Sequence, residues 1–197
     1  MDRMTNHNIK ELYGPVDDTT AHNLFDMVTG IDFPWYYLPD TTYENPHKPS
    51  IKTPAWAHLL YGNDGTRSPY LDHFTPVLEG TLSKANLKLT NVIRMRLGFL
   101  SNTRYNYPSE PYYYNAPHQD CNFPHYTAVW YMNETDGPTW IFNEKEESSQ
   151  YKKLFKSEPA FNKILLFDGL HYHASTCPKV RSVRIALTMN FTAEEDV

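Results

Sequence analysis

Two stretches in the first half of the chain carry apolar residues at helical spacing. Residues 17–29 begin with two aspartates, which favour the N-terminus of a helix, and end before Gly30, a common stop signal. Residues 69–86 carry a second apolar stripe, interrupted by Pro76 and Gly80. The pattern predicts one helix over 17–29 and one or two short helices over 69–86, broken at Pro76 and Gly80 and packed against a sheet.

After residue 86 the apolar period changes to two, with Ile93, Met95, Leu97 and Phe99 alternating with other positions. Alternation of this kind is typical of strands. Short turn signals separate the later apolar segments, which do not alternate regularly with helices. The pattern therefore favours a mainly β (α+β) fold, a barrel or sandwich backed on one face by the N-terminal helices. The later predicted strands cover residues 126–133, 139–142, 163–168, 170–174 and 183–191.

Composition and charge narrow the class of protein. The 197 residues are enough for one domain with a sizeable core, and 15 tyrosines, 10 phenylalanines and 15 prolines favour strands and stiff loops over long helices. The apolar runs are far shorter than the ~20 residues of a membrane helix, and no signal-peptide pattern opens the chain, so a cytoplasmic protein is expected. The net charge of −5 argues against electrostatic binding of nucleic acid over the whole surface. Two cysteines are too few for a disulfide scaffold.

The candidate chemistry begins at His118-Gln119-Asp120 and continues at His173. Side chains two residues apart on a strand point the same way, so the imidazole of His118 and the carboxylate of Asp120 converge on one point. A distant histidine brought alongside by the sheet completes a set of three. Two histidines and one carboxylate leave three positions of an octahedron open, as in the facial triad of non-haem Fe(II) oxygenases.

The order of motifs from about residue 90 to residue 192 resembles the Fe(II)/2-oxoglutarate-dependent dioxygenases, and within them the prolyl-4-hydroxylase-like branch. The earlier segment Phe-Pro-Trp-Tyr-Tyr at 33–37 is similar to one in small oxygenases encoded by bacteriophages. The motifs that carry the main resemblance are His118-x-Asp120, the strand Tyr-Thr-Ala-Val-Trp-Tyr-Met-Asn at 126–133, Gly-Pro-Thr-Trp-Ile-Phe at 137–142, Lys-Ile-Leu-Leu-Phe-Asp-Gly at 163–169, His-Ala-Ser-Thr-Cys-Pro at 173–178, and the strand that Arg184 opens.

This resemblance implies a double-stranded β-helix (a jelly roll, cupin-like) over residues 89–192, supported by a helical N-terminal region over 1–88 in a single domain, 1–197. It also implies that Fe(II), 2-oxoglutarate as cosubstrate and O₂ act together to hydroxylate a C–H bond, with release of succinate and CO₂. Ascorbate is a further candidate reductant. The substrate is expected to be a peptidyl proline, an amino acid or another small molecule, and a phage-encoded protein would act in the host cytoplasm.

The resemblance also assigns roles to individual residues. His118, Asp120 and His173 match the metal ligands of the catalytic centre. Arg184, eleven residues after His173, matches the basic residue that pairs with the distal carboxylate of 2-oxoglutarate, since its planar fork accepts a carboxylate with two hydrogen bonds. The last strand has Ala186 where many relatives have serine. The other expected cosubstrate contacts are Tyr131, whose hydroxyl could reach the same carboxylate, Thr127 on the same strand face, Thr188 as a substitute for the missing serine, and Tyr107 in the Tyr-Pro pair before His118.

Several alternatives stay open at this point. His171 with Arg181 mimics the spacing of His173 with Arg184, and Cys121 and Cys177 could join the histidines in a zinc site. The tyrosine-rich segment 102–117 fits either a substrate-binding lid or a loop packed on the barrel. The function could instead be that of a non-catalytic metal-binding jelly roll or of a nucleic-acid-modifying oxygenase, although the net charge makes a nucleic-acid partner a poor match.

Overall fold

The computed structural model describes residues 3–4, 8–41, 53–102 and 114–195. Within these ranges the chain forms two helices and twelve strands. The helices are α1 (Asp18–Thr29) and α2 (Leu71–Ala85), and the strands are β1 (Arg3–Met4), β2 (Lys10–Tyr13), β3 (Tyr36–Leu38), β4 (Ala55–Gly62), β5 (Gly65–Thr66), β6 (Leu87–Ser101), β7 (Tyr126–Tyr131), β8 (Thr139–Phe142), β9 (Lys153–Ser157), β10 (Lys163–Asp168), β11 (His173–Ser175) and β12 (Val183–Glu195).

The strands form one large and one small antiparallel sheet. The large sheet has the order β1-β2-β10-β7-β12-β6-β4-β3, with β5 paired to β4, and the small sheet has the order β11-β8-β9. His118 adds a further rung to the small sheet by pairing with His173 of β11. From β6 onward the chain crosses repeatedly between the two sheets. This winding confirms the predicted double-stranded β-helix.

Alternating residues of the large sheet face two different apolar layers. On the outer face, Trp130 and Leu187 pack with Leu24 of α1 and Phe74 of α2. The inner face packs on the small sheet through Val129, Tyr131, Leu165 and Phe167 of the large sheet and Ile141 of β8. The helices therefore cover one face of the large sheet, as predicted, and leave the other face to the small sheet and the functional site.

The first helix follows its sequence signals closely. The side chain of Asp17 caps its N-terminus by accepting a hydrogen bond from the Thr20 amide at 2.9 Å, and Gly30 stands at its C-terminus. The second helix does not. It runs unbroken through Pro76 and Gly80, so the predicted breaks are wrong. Pro76 lies on the exposed side, and burial of the apolar stripe outweighs the loss of one backbone hydrogen bond.

Residues 1–88 contribute strands as well as helices, which the sequence pattern did not indicate. Strand β2 pairs with β10 and strand β4 pairs with β6, so this region extends the large sheet at both ends. Gly80 of α2 is required by the same arrangement, because a β-carbon there would overlap the Pro15 carbonyl that follows β2. In the described part of the chain, neither helix has the length and apolar character needed to cross a membrane.

Candidate metal centre

The three predicted metal ligands come together at one end of the space between the sheets. His118 and His173 are paired through their backbones, each amide donating to the other's carbonyl at 3.0 Å, and their ring centroids are 4.5 Å apart. Asp120 lies 3.7 Å from Nε2 of His118 through one oxygen and 3.8 Å from Nε2 of His173 through the other. The three potential ligand atoms all lie within 4.8 Å of one another, close enough to share one ion.

Neighbouring groups fix the orientation of each of these side chains. The Nδ1 atoms of His118 and His173 face backbone carbonyl oxygens at 3.1 and 3.3 Å, so Nδ1 carries the proton and Nε2 turns to the centre. Asn190 donates to one oxygen of Asp120 at 2.9 Å, and Nη2 of Arg94 lies 2.5 Å from the other. The carboxylate is therefore held on both of its oxygens before any ion binds.

The electrostatics of the site favour the protonation states that a metal ion needs. Burial and, after it, the proximity of His173 lower the pKa of His118 to about 4, although the Asp120 carboxylate acts in the opposite direction. Burial likewise lowers the pKa of His173. Burial opposes ionisation of Asp120, but the charges of Arg94 and the two imidazoles outweigh it and hold the pKa of that carboxyl well below its usual range. At neutral pH the centre offers two neutral imidazoles and a carboxylate, the form in which these groups bind metals.

A cavity of about 700 Å³, including its open mouth, extends from this centre along the large sheet. Its wall consists of residues paired between β6 and β12, and at its middle Gly98 lies opposite Ala186. A β-carbon on Gly98 would meet nothing closer than 3.9 Å, so it would project into free space. The small residues at these two positions leave room for a narrow ligand. The pairs of β6 and β12 in which both residues line the cavity are Arg96–Thr188, Gly98–Ala186 and Leu100–Arg184, and Arg94 lines it opposite the fully buried Asn190.

Arg184 lies at the other end of this wall and is only 5% exposed. Its Nε donates to the Gly137 carbonyl and its Nη2 to Oγ1 of Thr139, both at 2.9 Å. Tyr131 also donates its hydroxyl to Oγ1 of Thr139, at 2.8 Å. Because Thr139 accepts two hydrogen bonds and lines the cavity, its own hydroxyl proton can be donated to a bound acceptor. Tyr131 thus lies behind Thr139, and Thr139 occupies the cavity position expected of Tyr131.

The remaining predicted contacts lie at different depths. Thr188 lines the cavity. Thr127 is fully buried beneath the metal centre, where it accepts a hydrogen bond from Asn190 at 3.0 Å and lies 3.3 Å from Nε2 of His125. Tyr107 and most of the 102–117 segment lie outside the described residues. Of the two described residues among these contacts, Thr188 lines the cavity and Thr127 does not.

The alternative assignments lie away from the centre. His171 is buried beside the Phe142 carbonyl at 2.8 Å and does not line the cavity, while Arg181 is an exposed residue that pairs with Glu134. Cys121 and Cys177 are not joined in a disulfide, and neither belongs to the ligand cluster found among the described residues. The structure therefore groups His173, and not His171 or a cysteine, with His118 and Asp120.

Sequence reasoning missed two arginines of the cavity wall, Arg94 and Arg96. Both stand on the inward-facing side of β6, followed on that side by Gly98 and Leu100. A cation repeated at period two, opposite the apolar face of Ile93, Met95 and Leu97, was the available signal, because a partly buried cation needs a partner or a ligand.

No protein-family model matches this sequence, and neither does any curated protein. In three dimensions the chain has the fold of the 2-oxoglutarate-Fe(II) oxygenases, prolyl hydroxylases among them. It is similar to an oxidoreductase of the 2OG-Fe(II) oxygenase family from Burkholderia pseudomallei, with a TM-score of 0.62 and 10% identity over 95% of this chain and 86% of that chain.

Two prolyl hydroxylases show the same likeness. One, from Trichoplax adhaerens and in complex with a peptide fragment of the hypoxia inducible factor oxygen degradation domain, matches with a TM-score of 0.59 and 13% identity over 97% of this chain and 86% of that chain. The other, a Pseudomonas putida prolyl-4-hydroxylase, matches with a TM-score of 0.55 and 14% identity over 96% and 94%. At these identities the likeness defines the fold.

Proposed function

We propose that this protein is an Fe(II)- and 2-oxoglutarate-dependent dioxygenase that hydroxylates a C–H bond of its substrate. The observation that carries the proposal is the placement of two opposed binding ends in one cavity. At one end the ligand atoms of His118, Asp120 and His173 lie within 4.8 Å of one another, and at the other end the guanidinium of Arg184 is buried. A dicarboxylate that also coordinates the metal needs both ends.

The residues present fit both groups. Two imidazoles and one carboxylate suit Fe(II) and leave coordination positions for a cosubstrate and O₂. The buried guanidinium of Arg184 and the Thr139 hydroxyl would hold the distal carboxylate of 2-oxoglutarate. Gly98 and Ala186 leave space for its carbon chain between the two ends. When bound, iron and 2-oxoglutarate supply the oxidising chemistry, with O₂ consumed and succinate and CO₂ released.

The residues of the protein itself bind these ligands and fix their orientation. Asn190 and Arg94 hold the Asp120 carboxylate, and backbone carbonyls hold the two imidazoles with Nε2 toward the centre. The Gly137 carbonyl and Thr139 hold the Arg184 guanidinium in one orientation. Val129 and Ala186 add apolar surface beside these groups, and charged contacts are stronger where less water surrounds them. The geometry is thus set before the ligands arrive.

The finer assignments stay predictions within this proposal. The substrate is expected to be a peptidyl proline, an amino acid or another small molecule, and ascorbate stays the candidate reductant. Action in the cytoplasm, and in a phage-infected host, stays a prediction as well. The negative net charge of the chain gives no support to a nucleic-acid substrate.

The direct test is conversion of 2-oxoglutarate to succinate by the protein with ferrous iron under air. We expect succinate to form, Asp120→Ala to abolish metal binding, and Arg184→Ala to weaken 2-oxoglutarate binding while the metal still binds. Binding is measured by calorimetry with Mn(II) under nitrogen. Metal binding without any 2-oxoglutarate binding or succinate would overturn the proposal in favour of a non-catalytic metal-binding jelly roll.

A further inference from the structure

Three hydroxyl side chains form a row across the inner face of the small sheet. Thr139 of β8 is paired with Ser157 of β9 on one side and with Ser175 of β11 on the other, and residues paired in this way project from the same face of a sheet. Ser157 is fully buried and donates its proton to Glu11. Thr139 and Ser175 line the cavity, so two adjacent hydroxyls of the small sheet face the space for ligands.

The hydroxyl of Ser175 is held by a buried donor. The side-chain amide of Asn115 donates to Oγ of Ser175 at 2.9 Å, and the backbone amide of Asn115 donates to the Ser175 carbonyl at 2.8 Å. Asn115 is 4% exposed, so this donor is fixed within the protein. A serine hydroxyl that accepts a hydrogen bond on its oxygen also has a proton to donate. Because Ser175 lines the cavity, that proton can be donated to a ligand there.

Ser175 lies between the two ends of the cavity. It follows the candidate metal ligand His173 by two residues on β11, so both side chains face the cavity. It is also paired with Thr139, which accepts a hydrogen bond from Nη2 of Arg184 at 2.9 Å. A dicarboxylate that reaches from the metal centre to Arg184 would therefore pass the Ser175 hydroxyl.

Arg184 does not supply every hydrogen bond that a carboxylate accepts. Its Nε donates to the Gly137 carbonyl and its Nη2 to Oγ1 of Thr139, so part of the guanidinium is used within the protein. A carboxylate has about four acceptor positions, of which a guanidinium fork fills only a bidentate pair. Hydroxyl donors on the facing sheet therefore strengthen the binding of a carboxylate beside Arg184.

On the facing strand β12, the residue at this level is an alanine. Ala186 follows Arg184 by two residues on the cavity side and ends in a methyl group. Thr188, predicted to substitute for the serine of relatives, follows Arg184 by four residues, which is roughly 13 Å along a strand. It is two residues from Asn190, which donates to Asp120, so it lies toward the metal centre. Ser175 is better placed than Thr188 to reach a carboxylate beside Arg184.

We propose that Ser175 binds the distal carboxylate of 2-oxoglutarate, and that the small sheet thereby supplies the hydroxyl contact that Ala186 of the large sheet cannot make. This proposal rests on the proposed function and adds a residue to its cosubstrate site. The carboxylate then receives hydrogen bonds from both sheets, from Arg184 on one side and from Thr139 and Ser175 on the other.

The test measures the binding of Mn(II) to the full protein, and then of 2-oxoglutarate to the Mn(II) protein, by calorimetry under nitrogen. Ser175→Ala should weaken 2-oxoglutarate binding about tenfold, as expected for the loss of a hydrogen bond to a charged group, and should leave the Kd for Mn(II) unchanged. Ser83→Ala, at an exposed serine of α2, is the control and should change neither Kd.

A second variant tests whether the hydroxyl itself carries the effect. Ala186→Ser places a hydroxyl on the facing wall, two residues from Arg184, and in the Ser175→Ala protein it should recover most of the lost affinity for 2-oxoglutarate. Unchanged 2-oxoglutarate binding in Ser175→Ala, an equal loss of Mn(II) affinity, or no recovery in the double variant would overturn the role of Ser175 alone. Failure of 2-oxoglutarate to bind the unaltered Mn(II) protein would overturn the proposed function and this inference with it.

Discussion

At the scale of single residues, the metal centre depends on the groups behind its ligands. Asp120 receives a hydrogen bond from Asn190 and an ion pair from Arg94, and Nε of Arg94 donates in turn to Oδ1 of Asn190 at 3.1 Å. Asn190 also donates to Thr127 below it. Asn190 is fully buried, so its amide connects the carboxylate to the sheet without contact with water.

Asn190→Ala should therefore weaken metal binding by about 10- to 100-fold, because groups that orient a ligand have effects of this size. The measurement is the Kd for Mn(II) under nitrogen, by calorimetry, at a temperature where the variant is folded. Asn143→Ala, at an exposed asparagine of the surface, serves as the control. An unchanged Kd in a folded Asn190 variant would show that Asp120 is positioned by other groups.

Asp136 stabilises the turn that leads into the strand of Arg184. Its carboxylate accepts hydrogen bonds from the amides of Lys179, Val180 and Arg181 at 2.9 to 3.0 Å. Burial opposes its ionisation, but these backbone bonds outweigh burial and lower the pKa of Asp136 from its ordinary 3.8. A carboxyl with a lowered folded-state pKa stabilises the fold above its unfolded-state pKa and loses that contribution as the pH falls through the folded value.

Asp136→Ala should lower the free energy of unfolding by roughly 1 to 2 kcal/mol at pH 7, the range for hydrogen bonds to a charged group at a partly exposed site. The difference from the unaltered protein should shrink as the pH falls below 3.8. Urea unfolding at pH 7 and thermal melting between pH 5 and pH 3 measure both effects. A difference that stays constant down to pH 3 would contradict the role of the ionised carboxylate.

The sequence could predict the three residues of the candidate metal centre but not the groups that hold them. His118 and Asp120 are two residues apart, and period two alone places them on one side of a strand. Arg94 and Asn190 are 96 residues apart, and their contact depends on the register between β6 and β12. Thr139 lines the cavity, and Tyr131 lies behind it. This placement depends on how β7 and β8 face each other, which the sequence of either strand alone does not determine.

At the scale of elements, α2 contains a residue that opposes its conformation. Pro76 lies in the helix interior, where it has no N–H to donate to the carbonyl one turn earlier. The helix persists because Phe74, Val77 and Leu78 are buried on its opposite side. Burial of one face thus decides the conformation that the local sequence disfavours.

Pro76→Ala should stabilise the protein, by about 1 to 3 kcal/mol, since proline is this much less favourable than alanine inside a helix. The side chain is exposed, so the change removes no core contact. Guanidinium unfolding of the two proteins gives the difference, with Glu79→Ala on the same exposed side as the control. No stabilisation, or a loss, would mean that the proline ring supports the helix through contacts of its own.

Strands were predicted where turn signals bound an apolar segment or where the apolar period is two. Turn signals located β8 and β10 at their observed ends, and alternation located the middle of β6. Strand β4 has seven apolar residues or glycine among Ala55–Gly62, and five of its eight positions are buried, so alternation is weak. Strand β2 is only four residues long and forms through pairing with β10, which lies 150 residues further along the chain.

At the scale of the whole molecule, a buried ion pair connects the two sheets. Glu11 of β2 and Lys163 of β10 belong to the large sheet and pair at 3.0 Å, and Ser157 of β9, in the small sheet, donates to the same carboxylate oxygen at 2.7 Å. Lys163 is 2% exposed, and its ammonium lies over the ring of Tyr131 at 5.5 Å. A buried charge of this kind is tolerated because its partner is in place.

Glu11→Leu should therefore destabilise the protein strongly, by about 3 to 5 kcal/mol, because it leaves the Lys163 charge buried without its carboxylate. The double variant Glu11→Leu with Lys163→Met should regain most of that loss. Urea unfolding of the two single variants and the double variant forms the test. Equal losses in Glu11→Leu and the double variant would show that the contribution of Glu11 does not depend on Lys163.

The sequence predicted the overall architecture as far as its apolar pattern and the order of its motifs indicate it. Alternation after residue 86, together with the family resemblance, predicted the jelly roll and the helical cover on one face. The extension of the large sheet by β2, β3 and β4 was not predictable, because these strands exist through pairing with partners far away in the chain.

The candidate metal centre and the Glu11–Lys163 pair both lie between the two sheets, near opposite ends of β10. Phe167, near one end of this strand, contacts the His173 ring at 5.1 Å between centroids, and Lys163 is its first residue at the other end. A bound ion would connect His118 and His173 of the small sheet to the carboxylate of Asp120, which residues of the large sheet hold. At the Lys163 end the two sheets are connected by protein groups alone, so an ion would add a connection only at the end near His173.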